Sequence, residues 1–243
     1  MCFYAPLITL QKPVSVHKKL AGKDRKAKMD EQLVSKTKQG TTTIGLMCRD
    51  GIVLAAEKRA TAGMFIADKK SEKIYKITDH LVITTAGTVS DAQLLTKLIR
   101  AELKLKEVRT DREATAKEAA NLLASLIYGN IRKYSLITGI TQFLLAGIDR
   151  DGSHLYDLFV DGSVMECDDY VSSGSGSTMV YGVLEAMYKK DLTVKEGVDL
   201  CVKALNVAMQ RDAASGNGIL VYTIMKDGIK KVIDKDFENT FKQ

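Results

Sequence analysis

Two apolar runs, TTIGLMCR at 42–49 and IVLAAE at 52–57, are separated by little more than Asp50-Gly51. An Asp-Gly step between β-prone runs is a tight-turn signal, and a tight turn can join only antiparallel strands. The same device recurs at Arg150-Asp151-Gly152, between TQFLLAGID (141–149) and SHLYDLFV (153–160). IYKI (74–77) and LVITTAG (81–87) flank Asp79-His80, and the second run is mostly β-branched, as a buried strand should be.

Between these strand groups the hydrophobic period changes. Leu94, Leu98, Ala101 and Leu105 recur at helical spacing over 90–108, with Ser90 or Asp91 placed to cap the start. Ala119, Leu122, Leu123, Leu126, Ile127 and Ile131 predict a second helix over 111–134, in which Glu113 and Lys117 form an i,i+4 pair. SGSGS (173–177) leads into a helix at 178–190. Thr193 caps another, with Val194, Val198, Cys201, Val202, Leu205 and Met209 on one face and an end near Ser215-Gly216. Residues 58–72 read as a loop, SVME and YVSSG as extensions of the second strand group, and GILVYTIMKDGI (218–229) as a closing strand and turn. The order is β-rich, two helices, β-rich, two helices, β. It predicts an α+β fold of mainly antiparallel sheets with helices stacked on their faces.

Charge divides the chain at Gly40. Of 36 basic and 30 acidic residues, nine basic and three acidic lie in 1–40, which leaves 27 of each in 41–243. The net charge of +6 therefore belongs to the first forty residues, which also hold both prolines, Pro6 and Pro13. The division supports a boundary near residue 40, with 1–40 a leader, tail or prosegment, and the length suits one large domain or two small ones. A basic tail is a weak warrant for nucleic-acid binding. Cys2, Cys48, Cys167 and Cys201 are scattered, with neither a CxxC nor nearby His pairs, so neither a zinc site nor a disulfide framework is expected, and a reducing compartment fits. No apolar run reaches the length of a membrane-spanning helix.

The residues that bear chemistry each have an ordinary reading. TTT at 41–43 is a strand start, or Thr41 is a nucleophile freed by cutting Gly40–Thr41. A hydroxyl needs a base, and an N-terminal threonine carries one in its α-amine, whose reference pKa is about 7.7–8.0. Glu57 in AAEKR reads as an exposed acid at a strand end, and Lys73 in KKSEK as part of a solvated charge run. SGSGS is a link, a helix cap or an anion site, without the GK[ST] of a phosphate loop. RDAASG (211–216) is a polar helix end, and TAGTVSDAQ (85–93) is a strand-to-helix turn whose glycine can offer an N–H to an oxyanion. His80 and His154 have no partner nearby in sequence, and no GxSxG supports a serine triad.

In combination the motifs are specific. G-TTTIGL, EKR, KIYKI, TTAGTVSDAQ, SSGSGSTMVYGVLE and EGVDLCVKALNVAMQRDAASG stand in this order over nearly all of 41–243. The chain resembles the proteolytic β subunits of the 20S proteasome, most of all the archaeal type. The resemblance implies a four-layer α-β-β-α sandwich of the N-terminal nucleophile hydrolase type. It implies a threonine endopeptidase with Thr41 as nucleophile and, through its freed amine, base. Lys73 matches the catalytic lysine, Glu57 the acid paired with it, and Asp212 the acid near the nucleophile. Ser175 and Ser215 match serines bonded around the amine, and Gly87 the oxyanion donor. Ala60, Thr61, Ser71, Thr85 and Val89 match positions beside the substrate. Those facing the P1 side chain are small and uncharged here, so a chymotrypsin-like preference for apolar P1 residues is expected.

The resemblance also implies processing at Gly40-Thr41, no metal or organic cofactor and a cytoplasmic location. The partners it implies are α subunits and other β subunits in a four-ring barrel of seven-membered rings, an ATPase regulator acting through the α rings, and unfolded polypeptides as substrates. Neither nucleic acid nor membrane is an expected partner. Forty residues is long for such a prosegment: either the chain starts at Met29, leaving the leader MDEQLVSKTKQG with 1–28 upstream of the true start, or the long leader is genuine and helps folding or assembly. A non-catalytic ring subunit and a bacterial HslV-type peptidase with six-fold rings are the rival assignments within the superfamily. A nucleic-acid-binding protein using the basic leader is the rival outside it.

Overall fold

The computed structural model describes residues 38–135 and 139–237. The prosegment readings that concern 1–37, the Met29 start included, lie outside the described residues. The first sheet contains β2 (Thr42–Cys48), β3 (Gly51–Glu57), β11 (Tyr170–Gly174), β12 (Gly218–Met225) and β13 (Gly228–Asp236), in the spatial order β11-β2-β3-β12-β13. The second contains β6 (Ile74–Lys76), β7 (Leu81–Gly87), β8 (Thr141–Asp149), β9 (Gly152–Leu158) and β10 (Val164–Glu166), in the order β10-β9-β8-β7-β6. Every pairing in both sheets is antiparallel, as the tight turns require.

Strand alternation makes the layers. On β3, Ile52, Leu54 and Ala56 point to a core shared with Val82, Leu144, Ala146 and Leu155 of the second sheet. Their neighbours Val53 and Ala55 point the other way, onto Val180, Leu184, Cys201 and Leu205. Those residues belong to α3 (Ser177–Met187) and α4 (Val194–Arg211). The outer face of the second sheet is covered by α1 (Val89–Thr110) and α2 (Ala116–Ile131) through Leu95, Ile99, Leu123, Ile127 and Phe143. Period-2 strands with both faces apolar must be buried on both sides, and the result is an α-β-β-α sandwich. Among the described residues, no helix is long and apolar enough to cross a membrane.

The helices differ from expectation in ways that capping and packing explain. Thr193 and Glu196 form a reciprocal capping box on α4, as its position suggests. A second box, Thr115 with Glu118, starts α2 later than expected, so Glu113 precedes the helix and lies 3.4 Å from His80 instead of pairing with Lys117. Neither Ser90 nor Asp91 caps α1; Thr88 is its N-cap and makes no side-chain cap bond. Leu94, Leu98 and Leu105, the stripe visible in sequence, are exposed. The buried face is Ala92, Leu95, Thr96, Ile99 and Leu103. The helix carries two apolar stripes, and periodicity alone does not say which one meets the sheet. α4 ends at Arg211, ahead of Ser215-Gly216.

Three strand assignments also change. The segment 58–72 is not all loop. It holds the hairpin β4 (Ala60–Ala62) and β5 (Phe65–Asp68), and β1 (Lys38–Gln39) adds to β4 to give a three-stranded sheet. YVSSG does not extend the second strand group: β11 crosses to the first sheet and pairs with β2. A final strand, β13, follows the turn after β12. It is mostly exposed and lysine-bearing, as suits a sheet edge, and Lys58 fastens it to β3 through Asp234 (2.7 Å) and Asp236 (2.5 Å).

Candidate active site

Thr41 stands immediately before β2 and is 4% exposed. Gly40 has φ +103, and a Cβ there would lie 2.6 Å from both Ala214 Cβ and Thr61 Oγ1. A glycine is therefore required on two counts, backbone conformation and space. This arrangement presents the Gly40 carbonyl to the Thr41 side chain, whose hydroxyl donates a hydrogen bond to it. β1 continues the chain backwards as an extended strand, with Gln39 in register with Thr61 and Lys38 with Ala62.

Lys73 and Glu57 are not solvated. Glu57 is the last residue of β3 and is fully buried, and Lys73 precedes β6 and is 4% exposed. They form an ion pair. An ammonium has three donors, and Lys73 directs hydrogen bonds to Glu57 Oε1, to the Arg59 carbonyl at 2.5 Å and to the Gly40 carbonyl at 3.2 Å. A carboxylate has about four acceptor sites. Glu57 Oε1 takes Lys73 and the Thr42 N–H (3.2 Å), while Oε2 takes the N–H groups of Arg59 (2.6 Å) and Gly216 (2.9 Å). Burial pushes the Lys73 pKa down against the opposing pull of Glu57, and pushes the Glu57 pKa up against the opposing pull of Lys73. Both shifts favour the neutral forms.

A second group closes on Thr41 from the other side. Asp212 is the C-cap of α4, and its Oδ2 accepts from the hydroxyls of Ser175 and Ser215, each at 2.6 Å. The Ser175 N–H donates to the Thr41 carbonyl at 2.8 Å. The expected bonding of Ser175 and Ser215 around an amine is seen here as bonding to Asp212, Thr42 and the Thr41 carbonyl. Gly87 ends β7 at φ +107, and a Cβ there would sit 2.1 Å from the Ile140 carbonyl oxygen. A cavity of about 20 Å³ lies against Gly40 and Thr41, with Ala60, Ser71, Lys73, Thr85, Gly87 and Val89 in its wall. Thr61 is not in that wall; it lies beside Gly40 on β4. Glu72, Tyr75 and Gln93 also line the cavity, so its wall is more polar than the small residues alone suggest.

Sequence reasoning gave no role to Arg59 or Thr42. Arg59 stitches the 212–217 segment to the lysine, its Nε donating to Asn217 Oδ1 (2.7 Å) and its Nη1 to the Ala213 carbonyl (2.8 Å). An arginine after an apolar strand carries no local signal of such a role. His80 and His154 lie apart from this site. His154 Nδ1 is 2.9 Å from Glu166 Oε1, and His80 Nε2 is 2.9 Å from the Ala114 carbonyl, so both have partners that sequence proximity does not reveal.

Fold and site together define an α-β-β-α sandwich in which a lysine–carboxylate pair, through the Gly40 carbonyl, and an aspartate–serine cluster, through the Thr41 carbonyl, flank a buried threonine. The family model for proteasome subunits matches residues 37–224, and the chain belongs to the proteasome subunit family. It is 46% identical over 206 residues to a proteasome subunit beta of Methanococcus maripaludis strain C5, covering 84% of this chain and 92% of the relative. It is 45% identical over 208 residues to that of Archaeoglobus profundus (84% and 95%), and 44% identical over 189 residues to that of Archaeoglobus fulgidus (78% and 87%).

Proposed function

We propose that this chain is a proteolytic β subunit of a 20S proteasome core, a threonine endopeptidase that frees its own nucleophile by cutting Gly40–Thr41. The observation that carries the reading is the Thr41 hydroxyl against the Gly40 carbonyl, with Lys73 3.2 Å from the same oxygen. In processing, Thr41 Oγ forms a bond to the Gly40 carbonyl carbon and the carbon–nitrogen bond breaks. The hydroxyl proton passes to the departing nitrogen, with Lys73 the nearby relay. The resulting ester is hydrolysed by water, which releases 1–40 as an acid and returns Thr41 with a free amine and hydroxyl.

On a substrate the same atoms act in turn. Oγ attacks the scissile carbonyl, and the Thr41 amine takes the hydroxyl proton and delivers it to the leaving amine. Water then hydrolyses the acyl-threonine. Asp212, Ser175 and Ser215 orient the nucleophile's residue, and the Gly87 N–H serves the oxyanion. Substrate chain adds to β4 as β1 does, a strand-addition mode that is tolerant of sequence. Ala60, Ser71, Thr85 and Val89 favour an apolar P1 side chain. The subunit works in the cytoplasm, within β rings flanked by α rings that admit unfolded chains passed on by an ATPase, and the chemistry uses no cofactor.

The test is the N-terminal sequence and intact mass of the full chain assembled with its α partner. A chain beginning TTTIGL, together with loss of peptidase activity in Thr41→Ala, is the expected result. An assembled particle in which residue 40 remains attached leaves Thr41 as an amide, and refutes the catalytic reading in favour of a structural ring member.

A further inference from the structure

The middle threonine of TTT occupies a position between the two halves of the site. Thr42 is fully buried. Its N–H donates to Glu57 Oε1 at 3.2 Å, on the lysine side. Its hydroxyl lies 2.6 Å from Ser215 Oγ, on the aspartate side. Counting hydrogens sets the direction of that second bond. Ser215 has one hydroxyl proton, and it goes to Asp212 Oδ2, which can only accept while ionised. Thr42 must therefore donate to Ser215, giving a directed chain from Thr42 through Ser215 to Asp212.

The surroundings leave this chain little freedom. Ser215 is fully buried, so a lost donor is not replaced by bulk water. Gly176, the second glycine of SGSGS, makes the room: a Cβ there would lie 2.2 Å from Thr42 Oγ1 and 3.3 Å from Asp212 Oδ2. The glycine that reads in sequence as a flexible link is the space in which the Thr42 hydroxyl sits.

We infer that Thr42 is a positioning residue for the chemistry of Thr41, its hydroxyl aiming the Ser215 proton at Asp212 and so fixing the carboxylate beside the nucleophile. The inference rests on the reading of Thr41 as the nucleophile. Thr42 touches no reacting atom, so its loss acts on turnover through Ser215 and Asp212 and leaves substrate binding alone.

The experiment uses the full chain assembled with its α partner and a fluorogenic peptide with an apolar P1 residue. Thr42→Val keeps the shape and the strand preference and removes only the hydroxyl. Expected is a fall in kcat of about tenfold, the scale of one hydrogen bond, with KM within about twofold. Thr42→Ser should restore kcat, and adding T42V to Ser215→Ala should lower kcat no further than S215A alone. Wild-type kcat in T42V, a change in KM only, or independent multiplication of the two losses would each overturn the inference. Should T42V fail to assemble, Gly176→Ala asks the same question by crowding the hydroxyl, and an undiminished kcat there is equally fatal. Thr41→Ala run alongside separates the two ideas: activity in T41A defeats the nucleophile reading itself, whatever Thr42 does.

Discussion

Replacing Gly40 by alanine tests the processing geometry most directly. Two costs arise. The backbone at φ +103 is a conformation that side chains rarely adopt, worth about 1–3 kcal/mol. The new Cβ would also lie 2.6 Å from Ala214 Cβ and from Thr61 Oγ1, where ordinary contact begins near 3.4 Å. Overpacking of this kind costs about 1–3 kcal/mol. The segment ahead of Gly40 is anchored through the two-residue pairing of β1 with β4. The cheapest relief is therefore a shift of the chain that carries the Gly40 carbonyl away from Thr41 Oγ1 and Lys73. If the combined strain, about 2–6 kcal/mol, falls on the reactive geometry, processing slows by roughly thirtyfold or more at about 1.4 kcal/mol per tenfold. The assay follows disappearance of the precursor by intact mass after assembly. A fusion that releases Thr41 directly as the first residue removes position 40 and should give full peptidase activity. Processing of G40A at the wild-type rate would refute the argument.

Two further outcomes follow from the buried groups. Glu57 raises the Lys73 pKa against the lowering by burial, so Glu57→Gln lets Lys73 lose its proton at lower pH. In processing, where Lys73 is the proton relay, the acid limb of the precursor-cleavage rate against pH should move to lower pH while the plateau falls, and movement to higher pH would contradict that relay. Burial pushes the Cys48 thiol up to about 12 and Cys167 to about 11, from 9.0, so near pH 8 their thiolate fractions drop by about a thousandfold and a hundredfold. Peptide mapping after brief alkylation of the native protein should show Cys167 modified before Cys48, and rapid labelling of Cys48 would contradict its burial.

What sequence makes legible here is local. Asp50-Gly51 and Arg150-Asp151-Gly152 mark their hairpins because a two- or three-residue turn leaves the chain one way to go. Thr193 marks its helix because the cap and its Glu196 partner lie three residues apart. The apolar stripe of α1 is just as visible and misleads, since Leu94 and Leu98 face outward while Leu95 and Ile99 face the sheet. YVSSG is legible as a strand and illegible as to its sheet, because its partner Thr42–Leu46 lies over a hundred residues earlier.

The composition of the site divides the same way. By itself the sequence determined that the excess positive charge lies ahead of residue 41, that the strands pair antiparallel, and, through the order of its motifs, the family. Only the tertiary structure decided that Glu57 and Lys73, a strand end and a charge run, are buried against each other, because two charges leave water only where each finds its partner and its hydrogen bonds. Tertiary structure alone also put Ser215 on Thr42 across 173 residues of chain. Hydrogen bonds reach about 3 Å, and which atoms come that close is set by how the two sheets and their helices stack, not by any spacing along the chain.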